Sequence, residues 1–323
     1  MITGIKKLLQ QADRIIWGPW LIFLLLGTGC YLMLSLRFLP LKNLPAALRR
    51  VFLPESRKGT EGRGVSSFSS LTTELAATIG TGNIVGVATA MVLGGPGALF
   101  WMVAAAFLGM ATKYSEGLLA VKYRVVAPDG HSLGGPFYYI EQGMGSKWKW
   151  LAKIFAFFGV CVGLFGIGTF SQVNGIASAI QNFFDPNKVH TVAIPGIGTY
   201  SWTVVIASLI LAFCVGAVLI GGIKRIASVS QIVVPFMAVA YFVFALILII
   251  CNITKVPAAV VTVVQGAFHP RAVTGGVVGS MFVAMQNGVA RGIFSNEAGL
   301  GSAPIAAAAA QTHEPVRQGL VSM

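Results

Sequence analysis

The sequence predicts an all-α integral membrane protein with about seven membrane segments. Only 10% of its 323 residues are charged, whereas a soluble domain carries about 25%. Hydrophobic residues make up 55% of the chain before its 39 glycines are counted. The charges lie between long uncharged blocks, and about 20 apolar residues are enough for a helix to cross a bilayer. Because the net charge of +13 is spread over the intervening loops, we do not expect nucleic-acid binding.

The first predicted segment covers residues 15–36, which contain no charged residue. We interpret residues 1–36 as a peripheral N-terminal transmembrane helix. Residues 37–66 that follow are basic and include the amphipathic stretch LKNLPAALRRVF. Such a stretch is typical of a helix that lies on the membrane surface, so we predict a cytoplasmic linker that contacts lipid.

The next uncharged stretch, residues 75–112, is 38 residues long and therefore too long for one helix. The turn sequence Gly-Gly-Pro-Gly at residues 94–97 divides it into two segments. The remaining segments are predicted by the same test at 152–184, 200–222, 227–253 and 272–311. The second and the seventh segments are rich in glycine, so we predict that both are discontinuous.

The distribution of lysine and arginine predicts the orientation. Alternate loops carry 14 of these residues on one side of the membrane and 6 on the other. Cytoplasmic loops carry the excess of Lys and Arg. The N-terminus is therefore predicted outside and the C-terminal tail in the cytoplasm, in the cytoplasmic (inner) membrane of a cell.

The second segment contains the motif TELAATIGTGN, which starts at Thr73 and ends at Asn83. Two glycines, Gly80 and Gly82, each weaken a helix by about 1 kcal/mol relative to alanine. A helix that opens here frees carbonyl groups for a cation and N–H groups for an anion, as in the broken helices of secondary transporters. The alternative is that Gly82 and Gly86 form a GxxxG motif that lets two helices pack closely.

The seventh segment contains a second glycine-bearing motif, RGIFSNEAGLGSAP, at residues 291–304. It carries Arg291 and Glu297 in a stretch otherwise free of charge. The second and seventh segments run in opposite directions through the membrane, and each has an acidic residue near a break. Such a pair of interrupted helices indicates a transporter site.

Four other polar residues lie within predicted segments. Lys113 and Glu116 stand three residues apart and could pair on one helix face. Gln172 and Asn174 are amides at membrane depth, which either join helices or bind a substrate. The four cysteines lie in separate segments and the four histidines in or near loops. We therefore expect no transition-metal site and no enzyme activity.

Several long motifs resemble the alanine/glycine:cation symporter family, whose members are sodium/alanine symporters. The matching stretches are TELAATIGTGNIVGVATA, LGMATKYSEGLLAVKYR, GGPFYYIEQGMG and RGIFSNEAGLGSAP. The resemblance implies a leucine-transporter-like inverted-repeat fold. In that plan residues 67–253 form a first five-helix repeat and residues 254–323 begin a second one.

The resemblance also implies sodium-coupled uptake of alanine or glycine, with Na⁺ as the coupling ion and no other cofactor. Glu74, Arg291 and Glu297 are candidate proton or gating residues. The implied sodium-binding residues are Ala76, Thr78, Ile79 and Asn83. The implied substrate-binding residues are Gly80, Thr81, Gly82, Gln172, Asn174, Phe294, Ser295 and Asn296.

The chain departs from the family pattern in its length. Family members continue for several more segments, whereas this sequence ends at Met323, so we expect an incomplete form that does not transport alone. Two alternatives remain open from the residues. One is a proton-coupled amino-acid carrier of the same fold, with Glu74 or Glu297 as the proton carrier. The other is a non-transporting, structural membrane protein.

Overall fold

The computed structural model describes residues 2–53, 65–128, 130, 132–166, 168–194, 198–268, 277–312 and 314–323. Most of these residues are in α-helices, joined by turns and two small hairpins. Within them, four helical stretches are long and apolar enough to cross a membrane, and a bent pair of helices makes a fifth. A mostly helical protein with several helices long enough to span a membrane is therefore confirmed, whereas the predicted count of about seven segments is not reached among the described residues.

The N-terminal region contains two helices where one segment was predicted at residues 15–36. These are α1 (Ile2–Ile16), which is amphipathic, and α2 (Pro19–Ser35), which is apolar throughout. Pro19 has no N–H to donate to a preceding turn, and it occupies the start of α2. The predicted segment thus corresponds to α2, and α1 was not predicted.

Two short helices follow in the predicted linker, α3 (Leu39–Lys42) and α4 (Leu44–Phe52). Residues 54–64 of that linker lie outside the described residues. In α4, Ala47 is buried in one cluster with Leu320 from the C-terminal end of the chain. The amphipathic stretch is therefore helical, and one side of it packs on the protein.

The second segment is broken, as its glycines predict. It consists of α5 (Ser67–Thr78), a 3-10 turn (Thr81–Asn83) and α6 (Val85–Gly94). The two halves are bent by 61°. Ser66 begins α5 as an N-cap, because its hydroxyl accepts the N–H of Ser69 at 3.1 Å.

The third segment is the continuous helix α7 (Gly97–Lys122), which starts directly after the predicted turn. A small antiparallel pair follows, made of β1 (Val125–Val126) and β2 (Ser132–Leu133). The helix α8 (Pro136–Met144) then leads into the fourth segment.

The fourth segment was predicted as one span at residues 152–184, and the structure divides it into α9 (Lys149–Leu164) and α10 (Thr169–Phe184). Gly166 and Gly168 in the interruption have φ angles of 59° and 90°. Glycine adopts this left-handed region without steric penalty, so the two residues permit the chain to turn between the helices.

A β-hairpin follows α10, formed by β3 (Thr191–Ile194) and β4 (Gly198–Ser201). The strands are antiparallel, with Thr191 opposite Ser201. The sequence analysis did not predict it, because four residues are too few to show the alternation typical of a strand.

Three helices come next: α11 (Trp202–Leu219), α12 (Gly222–Cys251) and α13 (Val256–Phe268). The first two match the predicted segments at 200–222 and 227–253. α13 was not predicted, since 13 residues are too few to cross a bilayer. The two remaining 3-10 turns are Ser146–Trp148 and Ile253–Lys255.

The last helices are α14 (Val277–Asn296), α15 (Ala303–Ala307) and α16 (Pro315–Ser322). The first two lie within the predicted seventh segment, 272–311, of which residues 272–276 lie outside the described residues, and α16 follows it. Whether this segment crosses the membrane stays a prediction.

The interruption predicted in the seventh segment lies at the C-terminal end of its motif. α14 continues through Gly292 and ends at Asn296. Three residues beyond it have positive φ angles, namely Glu297 at 55°, Gly299 at 87° and Gly301 at 77°. A helix cannot continue through such angles, so the chain turns here before α15 begins.

The core is built where α14 crosses α7. A Cβ atom on Gly288 of α14 would lie 2.3 Å from the carbonyl oxygen of Ala98 in α7, so only glycine permits this approach. Ile22, Ala105, Val289 and Ile293 form the adjoining buried cluster. The outer faces of α11 and α12 are apolar and exposed, as expected for lipid contact.

Candidate functional site

The break between α5 and α6 leaves backbone N–H groups without acceptors. Helical hydrogen bonding in α5 stops at Ile79, and the next backbone donor is Asn83, which bonds to the carbonyl of Gly80 at 3.1 Å. Among the described residues, no acceptor is found for the three N–H groups between them. These belong to Gly80, Thr81 and Gly82. Adjacent N–H groups at the start of a half-helix favour a bound anion.

The same break leaves carbonyl groups free. In the described part of the chain, the carbonyl oxygens of Ala76 and Ile79 receive no hydrogen bond. The carbonyl of Thr78 accepts the side-chain amide of Asn83 at 3.2 Å. A backbone carbonyl at membrane depth needs a partner, and an oxygen-binding cation is one.

α10 packs across the break at two glycines. A Cβ atom on Gly80 would lie 2.7 Å from Oε1 of Gln172. A Cβ atom on Gly175 would lie 3.2 Å from Cβ of Thr81. The close approach places the Gln172 amide beside the free N–H groups.

α14 closes the other side of the break. The ring of Phe294 lies 3.6 Å from the position that a Cβ atom on Gly82 would take. Around Gly86, no atom of the described residues lies within 4 Å of such a Cβ atom. The alternative interpretation of Gly82 and Gly86 as a helix-packing motif is therefore not supported at Gly86.

Asn83 joins the two glycine-bearing motifs. Its amide nitrogen donates to the carbonyl of Thr78, and its Oδ1 accepts the hydroxyl of Ser295 from α14. From the sequence, Thr78 and Asn83 were assigned to the sodium site and Ser295 to the substrate site, and the structure places all three in one hydrogen-bonded chain.

Asn296 ends α14 and starts the turn after it. Its Oδ1 accepts the N–H of Ala298 at 2.9 Å. Its amide nitrogen lies 3.4 Å from the position that a Cβ atom on Gly109 of α7 would take. The residue thus packs against α7 while it caps the turn.

The turn after Asn296 is held by a carboxylate that the sequence analysis had not assigned to it. Glu116 of α7 is buried, and the backbone N–H groups of Gly299 and Gly301 lie near its carboxylate, whose Oε2 has no hydrogen-bond partner among the described residues. Successive N–H groups around positive-φ glycines form a concave anion site, which the carboxylate fills. The expected pairing with Lys113 on the same helix is not found as a direct ion pair among the described residues. The sequence Gly299-Leu300-Gly301 indicates a turn, but which residue contacts that turn depends on the tertiary fold.

A cavity of about 530 Å³ lies beside the break and extends along α7. Glu74 and Thr78 line it from α5, and Lys113 lines it from α7. The other polar lining residues are Asn83, Ser295, Asn296 and Ser322. Leu71, Leu75, Ile79, Val103, Phe107, Met110 and Met323 are among the apolar ones. An apolar cavity with a few convergent polar groups is typical of a small-molecule site.

Several predicted residues do not line this cavity. Those that lie at the break but outside the cavity lining are Ala76, Gly80, Thr81, Gly82, Gln172 and Phe294. Three others lie away from both the break and the cavity. Asn174 is exposed and lies two positions from Gln172, which turns it away from the break. Arg291 has no hydrogen bond or ion pair among the described residues. Glu297 accepts the hydroxyl of Ser302 at 2.5 Å, on the far side of the turn. Their assigned roles stay predictions.

Arg124, which follows α7, fastens the chain after α15. Its guanidinium donates to the carbonyl oxygens of Ala308, Ala310 and Thr312 at 3.3, 2.5 and 2.7 Å. Burial lowers the pKa of Arg124 from its ordinary value, yet arginine stays charged at neutral pH. These hydrogen bonds attach the chain between α15 and α16 to the C-terminal end of α7.

Metal-ligating side chains do not cluster in the part of the chain that the structure describes. No group of three or more His, Cys, Asp or Glu residues is found there, and the four cysteines are free thiols. The oxygen atoms around the break are backbone and amide groups, which suit hard cations rather than transition metals.

Residues 2–323 match the family model described as the sodium:alanine symporter family. An uncharacterized transporter of Haemophilus influenzae is 54% identical over 321 residues, which are 99% of this chain and 66% of the relative. The sodium/alanine symporter AgcS of Methanococcus maripaludis is 46% identical over 98% of this chain and 66% of its own length.

A third relative is a putative sodium/proton-dependent alanine carrier protein, YrbD, of Bacillus subtilis. It is 40% identical over 96% of this chain and 58% of its own length. The chain thus spans slightly less than two thirds of the relatives it matches. Their names are those of transporters and carriers, not of enzymes.

Proposed function

Because the chain belongs to the sodium:alanine symporter family, we propose that the protein carries a small neutral amino acid across the cytoplasmic membrane together with Na⁺. The observation that carries this proposal is the broken second segment. Its three free N–H groups and its free carbonyls stand side by side, which suits an amino acid and a cation bound next to each other.

The substrate carboxylate is proposed to bind the N–H groups of Gly80, Thr81 and Gly82. The three N–H groups precede the 3-10 turn Thr81–Asn83 and the half-helix α6, whose N-terminal end favours a negative charge nearby. Gln172 lies beside these groups and is proposed to contact the same ligand. Asn174 is the weaker member of this proposal, since it is exposed on the other side of α10.

One sodium ion is proposed to bind the carbonyl of Thr78 and the side chain of Asn83. In the structure the amide nitrogen of Asn83 bonds to that carbonyl. For a cation to meet both oxygens, the amide must rotate so that Oδ1 replaces the nitrogen. The carbonyls of Ala76 and Ile79 are proposed to serve a second ion.

The pocket is proposed to select small side chains. Phe294 stands against the break and leaves little room beside Gly82. Ser295 and Asn296 line the cavity from the same helix. Alanine or glycine would fit, whereas a large side chain would have to displace the ring.

The architecture is proposed to be a leucine-transporter-like inverted repeat. Residues 1–36 and 37–66 would form the peripheral helix and the linker, residues 67–253 the first repeat, and residues 254–323 the start of the second. The two breaks, after Thr78 and after Asn296, support this plan because they lie side by side in the structure.

The test is sodium-dependent uptake of labelled alanine by proteoliposomes that contain the complete protein. We expect Asn83→Ala to raise the half-saturating Na⁺ concentration about tenfold or to abolish uptake, since it removes the links to Thr78 and Ser295. Asn252→Ala is the matched control, because that exposed amide only bonds within its own helix.

Unchanged sodium dependence in Asn83→Ala would remove this residue from the ion site. Uptake by the unaltered protein that follows pH and ignores sodium would contradict sodium coupling. It would favour a proton-coupled carrier with Glu74 or Glu297 as the proton carrier.

A further inference from the structure

The cavity beside the break has a second polar end, formed by Glu74 of α5 and Lys113 of α7. Both side chains are buried, at 4% and 9% exposure. Two opposite charges that line one cavity at membrane depth are costly unless they have a function. Neither residue is needed at the break itself.

Glu74 is held in place by one of its two oxygens. Oε1 accepts the amide of Gln318 at 3.3 Å and the hydroxyl of Ser322 at 3.1 Å, both from α16. Both hydrogen bonds that the described residues make to this carboxylate end on Oε1. Oε2 is therefore available to a donor in the cavity.

Lys113 is not neutralised by a direct contact. Its charge acts on Glu74 and Glu116, but no ion pair joins it to either carboxylate within the described residues. The carboxylate of Glu116 lies near the backbone N–H groups of the turn after α14, and its Oε2 has no hydrogen-bond partner among the described residues. Lys113 thus lines the cavity together with Glu74 and forms no ion pair with either carboxylate within the described residues.

We propose that Glu74 and Lys113 form a second amino-acid site in this cavity. Glu74 accepts the α-ammonium group of a small zwitterionic amino acid, and Lys113 binds its α-carboxylate. The ligand has one charge of each sign, so it satisfies both buried groups at once. This inference rests on the proposed function, since it assumes that the cavity takes amino acids.

The geometry separates this site from the break by about one helical turn. Thr78 lies four residues after Glu74 and donates its hydroxyl to the carbonyl of Glu74 at 3.2 Å, so both face the same side of α5. The cavity volume of about 530 Å³ is within the range of ligand pockets and leaves room beyond the break. Thr78, Ile79 and Asn83 line the same cavity as Glu74 and Lys113, so the cavity extends from the edge of the break to the two charged residues.

The test is the number of alanine molecules bound, measured by equilibrium dialysis of labelled alanine against the complete purified protein with sodium. We expect two sites for the unaltered protein. Glu74→Gln and Lys113→Met should each lose one site and leave the affinity of the other within about twofold. Glu141→Gln is the matched control, because its carboxylate forms an exposed ion pair with Lys149, and it should keep both sites.

Two competing ligands, lactate and alaninamide, test which charged groups of alanine the second site requires. In the unaltered protein, lactate lacks the ammonium group and alaninamide lacks the carboxylate, so neither should displace alanine from the second site. Glu74→Gln retains an oxygen that accepts from Gln318 and Ser322, which preserves the contact with α16. The unchanged first site reports that each variant is folded.

A single alanine site in the unaltered protein, unaffected by both variants, would overturn the inference and leave the proposed function intact. So would a Glu74→Gln protein that keeps two alanine sites but needs more sodium, since Glu74 would then serve the ion. The absence of any sodium-dependent alanine binding would contradict the proposed function itself.

Discussion

At the scale of single residues, the candidate site depends on close approaches that only certain residues allow. Gly80 and Gly175 bring α10 onto the break, and Gly82 admits the ring of Phe294. Asn83 connects these parts, because its one amide reaches both the end of α5 and Ser295 of α14. The motif is therefore a contact surface as well as a helix breaker.

We predict that Gly80→Ala weakens substrate binding while Gly86→Ala does not. The new Cβ at position 80 would lie 2.7 Å from Oε1 of Gln172 and would push that amide away from the free N–H groups. The same change at position 86 meets open space among the described residues. Alanine-dependent thermal stabilisation in sodium should fall for the first variant only. Equal loss in both would indicate that helix packing, not the pocket, explains the glycines.

At the scale of elements, single polar side chains fix turns and chain segments through hydrogen bonds, where hydrophobic packing alone does not position them. We call each such contact a clamp. Glu116 secures the turn between α14 and α15, and Arg124 secures the chain after α15. Asp185 secures the β3–β4 hairpin, because it accepts the N–H of Val189 and the hydroxyl of Ser201. Each clamp joins elements far apart in sequence or stabilises a turn.

We predict that Arg124→Lys destabilises the protein by about 2 kcal/mol, because one ammonium group cannot reach three carbonyls as a planar guanidinium does. The melting temperature in detergent should fall by several degrees. Arg49→Lys, at an exposed position of α4, is the control and should leave it unchanged. An unchanged melting temperature in Arg124→Lys would show that the three hydrogen bonds contribute little.

We predict that the β3–β4 hairpin loosens in acid. The hydroxyl of Ser201 and the N–H of Val189 hold the pKa of Asp185 below its ordinary value of 3.8. A lowered pKa means that the carboxylate stabilises the hairpin above that ordinary value. The stabilisation is lost as the pH falls through the lowered one.

Hydrogen exchange of the hairpin amides measures this effect. Protection should be constant from neutral pH down to about pH 4 and should fall below it. In Asp185→Asn the protection should be lower throughout and should not change over this pH range. A hairpin that remains protected in the unaltered protein well below pH 3 would exclude Asp185 as its acid-sensitive contact.

At the scale of the whole molecule, charges and apolar surface predict how the protein sits in the membrane. Exposed apolar side chains cover the outer faces of α11 and α12. Lys188 precedes α11 and Lys224 follows it. This 18-residue helix is about 27 Å long, close to the thickness of the hydrocarbon core.

We predict that Lys188 faces outward and Lys224 faces the cytoplasm, as the excess of basic residues implies. In a variant without the four native cysteines, Lys188→Cys should react with a membrane-impermeant thiol reagent on intact cells. Lys224→Cys should react only after the membrane is opened. The reverse pattern would invert the predicted orientation.

The sequence by itself determined that the protein lies in a lipid bilayer, where most of its membrane segments lie, that the second segment breaks after Thr78, and which family it belongs to. Charge depletion, apolar length and glycine spacing act locally, so they can be interpreted without a partner. Only the tertiary structure decided that Asn83 bonds to Ser295, that Glu116 holds the turn after α14 and that Glu74 and Lys113 share a cavity. These contacts join residues that are distant in sequence, and they depend on how α7, α14 and α16 pack. The same reason explains why α1, α13 and the short hairpin were missed, since each is too short or too mixed in pattern to be recognised alone.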